Sequence, residues 1–165
     1  MSKKDSNKKD DQRSVYKKLK ADHQKVESLF KTLLKSDESE TDLRNETFFE
    51  LKELLEVHAD AEEEIFYPLT EREESTQALT LEAYEEHKIV RNLLAEISEL
   101  EPHDKLWSAK IKVLSEAVKH HVREEEKQMF PLAKKYIEKD KAVCLGVAVE
   151  RFESHQLSDQ SANTN

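Results

Sequence analysis

Apolar residues recur along most of this chain in steps of three and four, the period of one face of an α-helix. The first stripe, opening after Ser14 as a plausible cap, is Tyr16, Leu19, His23, Val26, Phe30 and Leu33. The segment KSDESETDLRNE lacks an apolar period and predicts a loop ending near Asn45. A second stripe follows with Phe48, Leu51, Leu55, His58, Glu62 and Ile65, and Pro68 closes or kinks its helix. After a loop around Glu71 to Gln77, a third carries Leu81, Tyr84, His87, Val90, Leu94 and Ile97. Beyond a turn at Pro102, with Asp104 as the cap, the fourth holds Trp107, Ile111, Leu114, Val118, His121, Glu125, Gln128 and Leu132. Four amphipathic helices of roughly 20 residues, each about 30 Å long, joined by short loops, predict an all-α up-down-up-down four-helix bundle. The bundle is expected over residues 14–137. A disordered tail is expected over 1–13, a short helical extension broken near Gly146 over 138–155, and a second disordered tail over 156–165.

Composition agrees with a helical reading. One glycine and three prolines in 165 residues leave little to interrupt helices, and charged residues make up 38%. Cys144 is the one cysteine, which excludes an internal disulfide framework or a cysteine-rich metal site and suggests a small apolar packing residue. No apolar run approaches the roughly 20 residues that span a bilayer, and the amino terminus lacks a hydrophobic signal segment. A cytoplasmic protein with no membrane partner is therefore expected. A formal charge of −9 argues against nucleic acid as a partner, because phosphate contacts need a basic surface.

Each of the four stripes contains a histidine where a hydrophobe is expected. His23 and His58 lie 35 residues apart and His87 and His121 34 apart, the mark of an internal duplication of a helical pair. With antiparallel neighbours, all four fall in one interior layer. The stretches LLEVHADAEEEIFYPLTE and VKHHVREEEKQMFPLAKK add a glutamate four residues after the histidine and a proline ten after it: His58, Glu62 and Pro68, then His121, Glu125 and Pro131. Residues four apart share a helix face, so each His and Glu can reach a common point. An unpaired buried carboxylate costs several kcal/mol or shifts its pKa until it is neutral. The inner stripes supply no cationic side chain at that level besides Arg91, whereas a pair of metal ions satisfies all six groups at once. Imidazole and carboxylate suit iron, and zinc and manganese accept the same ligands.

His120, one residue and hence about 100° of rotation from His121, belongs to a solvated face. His103 and His155 are expected to be solvated as well. Glu63, Glu64, Glu124 and Glu126 are expected to face water, and Tyr67 and Tyr84 to serve chiefly as packing aromatics.

The segments ADHQKVESLF, EVHADAEEEIFYP, EEHKIVRNLL and HHVREEEKQMFP resemble the four motifs of the hemerythrin-like, His-His-Glu cation-binding family, over about Tyr16 to Tyr136. The resemblance implies a non-haem di-iron centre, with His23 and His58 on one iron, His87 and His121 on the other, and Glu62 and Glu125 bridging. It also implies a small diatomic or peroxide ligand, such as dioxygen, nitric oxide or peroxide, that is bound or sensed. An enzyme acting in peroxide detoxification or in repair of oxidative or nitrosative damage is the alternative, and a metal-free helical interaction module the third. Oxygen-carrying members of the family have a second histidine four residues after the one on the third helix. Here that position is Arg91, whose guanidinium stays protonated and cannot ligate. Fewer protein ligands leave more open positions, which Glu27, one turn from His23, is a candidate to fill.

Overall fold

In the computed structural model the described residues are 13–163, with side chains to 158. They form an up-down-up-down bundle of four helices with a fifth laid along it, and no strand occurs among them. Helix α1 spans Val15–Lys35 behind the cap residue Ser14. Helix α2 runs Thr41–Ala61, passes through a π-helical turn at Glu62–Phe66 and finishes as Tyr67–Thr70. Helix α3 is Glu74–Ser98. Helix α4 repeats the pattern of α2, with Lys105–Glu124, a π-helical turn at Glu125–Met129 and a last segment Phe130–Ala133.

The two wide turns have a cause in the sequence. A proline has no N–H to donate, and its ring collides with the carbonyl four residues back. Just before Pro68 and Pro131 the helices widen, with Tyr67 N–H reaching the Glu62 carbonyl and Phe130 N–H the Glu125 carbonyl, a step of five residues. The extra residue moves the buried face one position along. Beyond Glu125 the core residues are Met129, Phe130 and Ala133, while Gln128, placed inside by an unbroken period, is exposed and Leu132 only half-buried.

Loop lengths differ modestly from expectation. Helix α2 begins at Thr41, four residues before the predicted loop end, because Arg44 is buried where no apolar signal marks the turn. Its guanidinium donates to the Pro102 and Ser36 carbonyls and lies 5.2 Å from the Trp107 ring, closing the far end of the bundle. In α3, Leu81 is exposed and Thr80 and Ala83 face inward.

Helix α5, Lys139–Asn163, corrects two expectations at once: it passes through Gly146 without a break, and it continues across most of the tail expected over 156–165. The reason is packing. Ala142, Leu145, Val149 and Phe152 lie on the apolar cluster that contains Val15, Tyr16 and Leu19, and Gly146 passes so close to the start of α1 that no side chain fits. Cys144 points outward from this helix and is exposed. Apart from Arg13, the tail expected over 1–13 lies outside the described residues.

Two apolar clusters fill the bundle. One, with Phe66, Tyr67, Met129 and Phe130, is closed by α5. The other, with Phe30, Leu51, Leu94, Trp107 and Leu114, occupies the opposite end. Between them lies a polar layer. No helix among the described residues is long and apolar enough to cross a membrane.

Candidate metal centre

The layer between the two clusters is made of His23 from α1, His58 and Glu62 from α2, His87 from α3, and His121 and Glu125 from α4, all at most 5% exposed. His120, the neighbour set aside on helical phase, is half exposed. His58 Nε2 is 3.2 Å from Glu62 Oε1, His87 Nε2 3.4 Å from Glu62 Oε2, His23 Nε2 3.3 Å and His121 Nε2 3.5 Å from Glu125 Oε2. His87 Nε2 and His121 Nε2 face each other at 3.2 Å. Donor atoms of His23, His58, Glu62 and Glu125 form one compact group, and those of Glu62, His87 and His121 a second that shares Glu62.

The outward nitrogens of three of the rings show why the inward ones suit a cation. His23 Nδ1–H donates to Glu126 at 2.9 Å, His87 Nδ1–H to Glu63 at 2.8 Å and His121 Nδ1–H to Glu86 at 2.8 Å. Asp22 takes the same place beside His58 Nδ1, at 3.6 Å. An imidazole that donates from Nδ1 turns the lone pair of Nε2 inward, so neutral rings and carboxylates confront one another as acceptors. Accordingly, Nε2 of His23 and His58, Oε1 of Glu62 and Oε2 of Glu125 are buried without a hydrogen-bond partner. Two ligands each about 2.1 Å from a common ion at tetrahedral or octahedral angles lie roughly 3.0–3.4 Å apart, close to the spacings seen here. The donor set, its spacing and its unpartnered atoms fit a metal cation site, and histidines that hand their second nitrogen to carboxylates are the usual setting of metal ligands.

In the absence of a cation, protons take its place. Burial alone would lower the His58 imidazole, but the charge of Glu62 and the acidic groups around it hold it well above its ordinary value. Burial likewise opposes charge on His121, yet Glu125, Glu62 and Glu86 carry it up to about 10. Glu62, which burial would raise, is held well below the usual carboxylate range by His58 and by hydrogen bonds with its histidine neighbours.

Several groups at the centre were not expected from the pattern of the chain. Glu63 and Glu126, assigned to water as members of glutamate runs, are the acceptors of His87 and His23, Glu86 is the acceptor of His121, and Asp22 stands behind His58 at 3.6 Å. The signal was present in the duplication. Asp22 and Glu86 each precede a histidine and serve the histidine of the next helix, while Glu63 and Glu126 each follow an interior glutamate.

Tyr67 also departs from expectation. It is fully buried, stacks on His87 with ring centres 5.4 Å apart, and donates its hydroxyl hydrogen to Glu125 Oε1 at 2.8 Å. The Tyr67 hydroxyl oxygen is also 3.4 Å from both Glu62 Oε2 and His87 Nε2. In the second repeat Phe130 stacks on His23 in the same way but brings no hydroxyl. Tyr84 packs edge-on against Tyr67. Arg91 points away from the layer to Asp60 at 2.7 Å and Glu63 at 2.8 Å, which places a guanidinium behind the carboxylate that orients His87. Glu27 is exposed and does not fill a ligand position.

Residues 14–133 match the family described as Hemerythrin HHE cation binding domain. A DNA nickase from a Nostoc species is 32% identical over 112 residues, which are 68% of this chain and 31% of that protein. The chain therefore spans less than a third of that relative. The crystal structure of a hemerythrin HHE cation binding domain-containing protein from Mycobacterium kansasii has a TM-score of 0.76 and 22% identity, covering 88% of each chain, a likeness of fold.

Proposed function

Because the chain belongs to the hemerythrin HHE cation-binding family, we propose that its buried layer holds a pair of iron ions and that this centre binds or senses a small ligand such as dioxygen, nitric oxide or peroxide. The observation that carries the reading is the set of inward, unpartnered nitrogen and oxygen atoms in a layer closed above and below by apolar clusters. His23 and His58 are proposed for one ion, His87 and His121 for the other, and Glu62 and Glu125 for both. When bound, iron supplies a redox-active Lewis acid with positions left open to an exogenous ligand.

The room available supports a small ligand. A cavity of about 20 Å³ lies against all four imidazoles, its other walls including Val26, Leu55, Val90 and Val118. That volume suits one water-sized or diatomic molecule, and the aliphatic walls disfavour ordered water. A wider cleft between α1 and α4, which shares His23, Val26, Val118 and Val122 with the cavity, lies on its outer side.

Tyr67 favours the enzymatic version of this reading. Its phenol is held well above its ordinary pKa by burial and by the two glutamates, so it remains a proton donor aimed into the centre. Glu125 receives that hydrogen bond, and the outer carboxylates hold the rings in orientation.

The test is metal analysis of freshly purified protein, joined to an optical spectrum before and after exposure to air, peroxide and nitric oxide. Stoichiometric iron in the wild type and its loss in His58→Ala/His121→Ala are expected. Normal iron content in that double variant overturns the proposal, and absence of any metal from the wild type returns the chain to a helical interaction module. Turnover of peroxide that disappears in Tyr67→Phe while iron is retained would identify the enzyme; ligand binding without turnover, the sensor.

A further inference from the structure

The two halves of the centre are related by the duplication, yet the carboxylates behind His58 and His121 are held differently. Glu86 Oε2 accepts from His121 Nδ1–H at 2.8 Å. Its side chain is partly open to solvent, and its other oxygen lies 3.5 Å from His120 Nε2. Asp22, its counterpart, is buried and stands 3.6 Å from His58 Nδ1, beyond hydrogen-bond reach. That ring nitrogen makes no hydrogen bond.

Lys18 is the cause of the difference. Its ammonium donates to both oxygens of Asp22, at 2.5 and 2.6 Å, and also pairs with Glu153. Glu153 is itself buried and comes from α5, the helix laid over α1. In the other half the position equivalent to Lys18 is Glu82, an exposed acid that cannot draw Glu86 away. A carboxylate already bound twice by an ammonium is a poor acceptor for a ring N–H, and an imidazole lacking that acceptor is a weaker metal ligand.

Building on the proposed metal centre, we infer that the Lys18–Glu153 pair, anchored by the C-terminal helix, draws Asp22 off His58 and makes the two cation positions unequal. The position at His23 and His58 is the looser one, and that at His87 and His121 the tighter. Lys18 and Glu153 are thus positioning residues that act through Asp22.

The experiment follows metal content per chain during dialysis of the iron-loaded full chain against a chelator, with circular dichroism confirming the fold. The wild type should release its metal in two phases. Glu86→Gln should speed the slow phase by about tenfold or more, the usual cost of losing the carboxylate behind a ligating histidine, whereas Asp22→Asn should change the fast phase by less than about threefold. Asp22→Asn leaves the Lys18–Glu153 pair in place, which guards against collapse of the buried charges. Release in a single phase, or equal effects of the two variants, overturns the inference and leaves the metal centre standing. A wild type that takes up no iron overturns both.

Discussion

Replacing Tyr67 with phenylalanine removes one oxygen from the middle of the centre and leaves the ring in place. The ring contacts with His87, Phe66 and Tyr84 survive, and Phe130 at the equivalent position shows that the fold accepts a bare ring against a histidine. What is lost is a 2.8 Å hydrogen bond to Glu125, a carboxylate whose other oxygen makes no hydrogen bond. A hydrogen bond to a charged acceptor is worth about 1.5–3 kcal/mol, and little solvent can reach this layer to replace it. For a chain of this size each kcal/mol moves the melting temperature by about 2–4 °C, so metal-stripped Tyr67→Phe should melt about 3–12 °C below the stripped wild type. The assay is thermal unfolding by circular dichroism at pH 7 in chelator, repeated in a Glu125→Leu background. There the tyrosine change should lose most of its effect, since contacting residues couple by about 0.5–3 kcal/mol. A melting temperature within about 1 °C of wild type, or equal losses in both backgrounds, would refute the claim that the phenol serves Glu125.

Gly146→Ala should destabilise the chain although alanine favours a helix by about 1 kcal/mol. Its Cβ would lie 2.1 Å from the Arg13 carbonyl oxygen and 2.9 Å from the Val15 nitrogen, so a net loss of about 1–3 kcal/mol is expected in urea unfolding, and a gain would contradict the close approach. Tyr16→Phe should leave stability unchanged or raise it by up to about 2 kcal/mol, because the buried hydroxyl has no partner while the ring rests on Phe66 and Phe130. A clear loss on calorimetry would reveal a partner for that oxygen. In the metal-stripped protein, His121 carries a pKa raised from 6.5 to about 10. A raised value adds stability that is complete below pH 6.5 and disappears as pH climbs through about 10, so the melting temperature in chelator should fall across that window. A flat or rising profile would contradict it. Metal uptake at neutral pH should release protons, which calorimetry in buffers of different ionisation enthalpy would count.

The six side chains of the central layer could be read from the chain because each replaces a hydrophobe on a strongly periodic stripe, where helical phase fixes which way a residue faces. His121 was separable from His120 on that ground alone. Phase fails where the period itself changes. The π-helical turns shift the buried face after Glu62 and Glu125, which is why Gln128 was placed inside and why Tyr67 was not placed at the centre. Glutamate runs hid Glu63 and Glu126 for a different reason. Their neighbours are equally acidic, and only the position of the facing helix decides which carboxylate meets an imidazole.

Local sequence determined the helices, their polarity of burial and the level at which four imidazoles and two carboxylates converge, since these follow from spacing along a single rod. Tertiary structure alone decided what stands behind those groups: the phenol of Tyr67 against Glu125, the acceptors of the outward ring nitrogens, and the Lys18–Glu153 pair that draws Asp22 away. Each of these contacts joins two different helices. Its length and direction depend on how the rods cross and on where α5 comes to rest, quantities that no repeat along one helix contains.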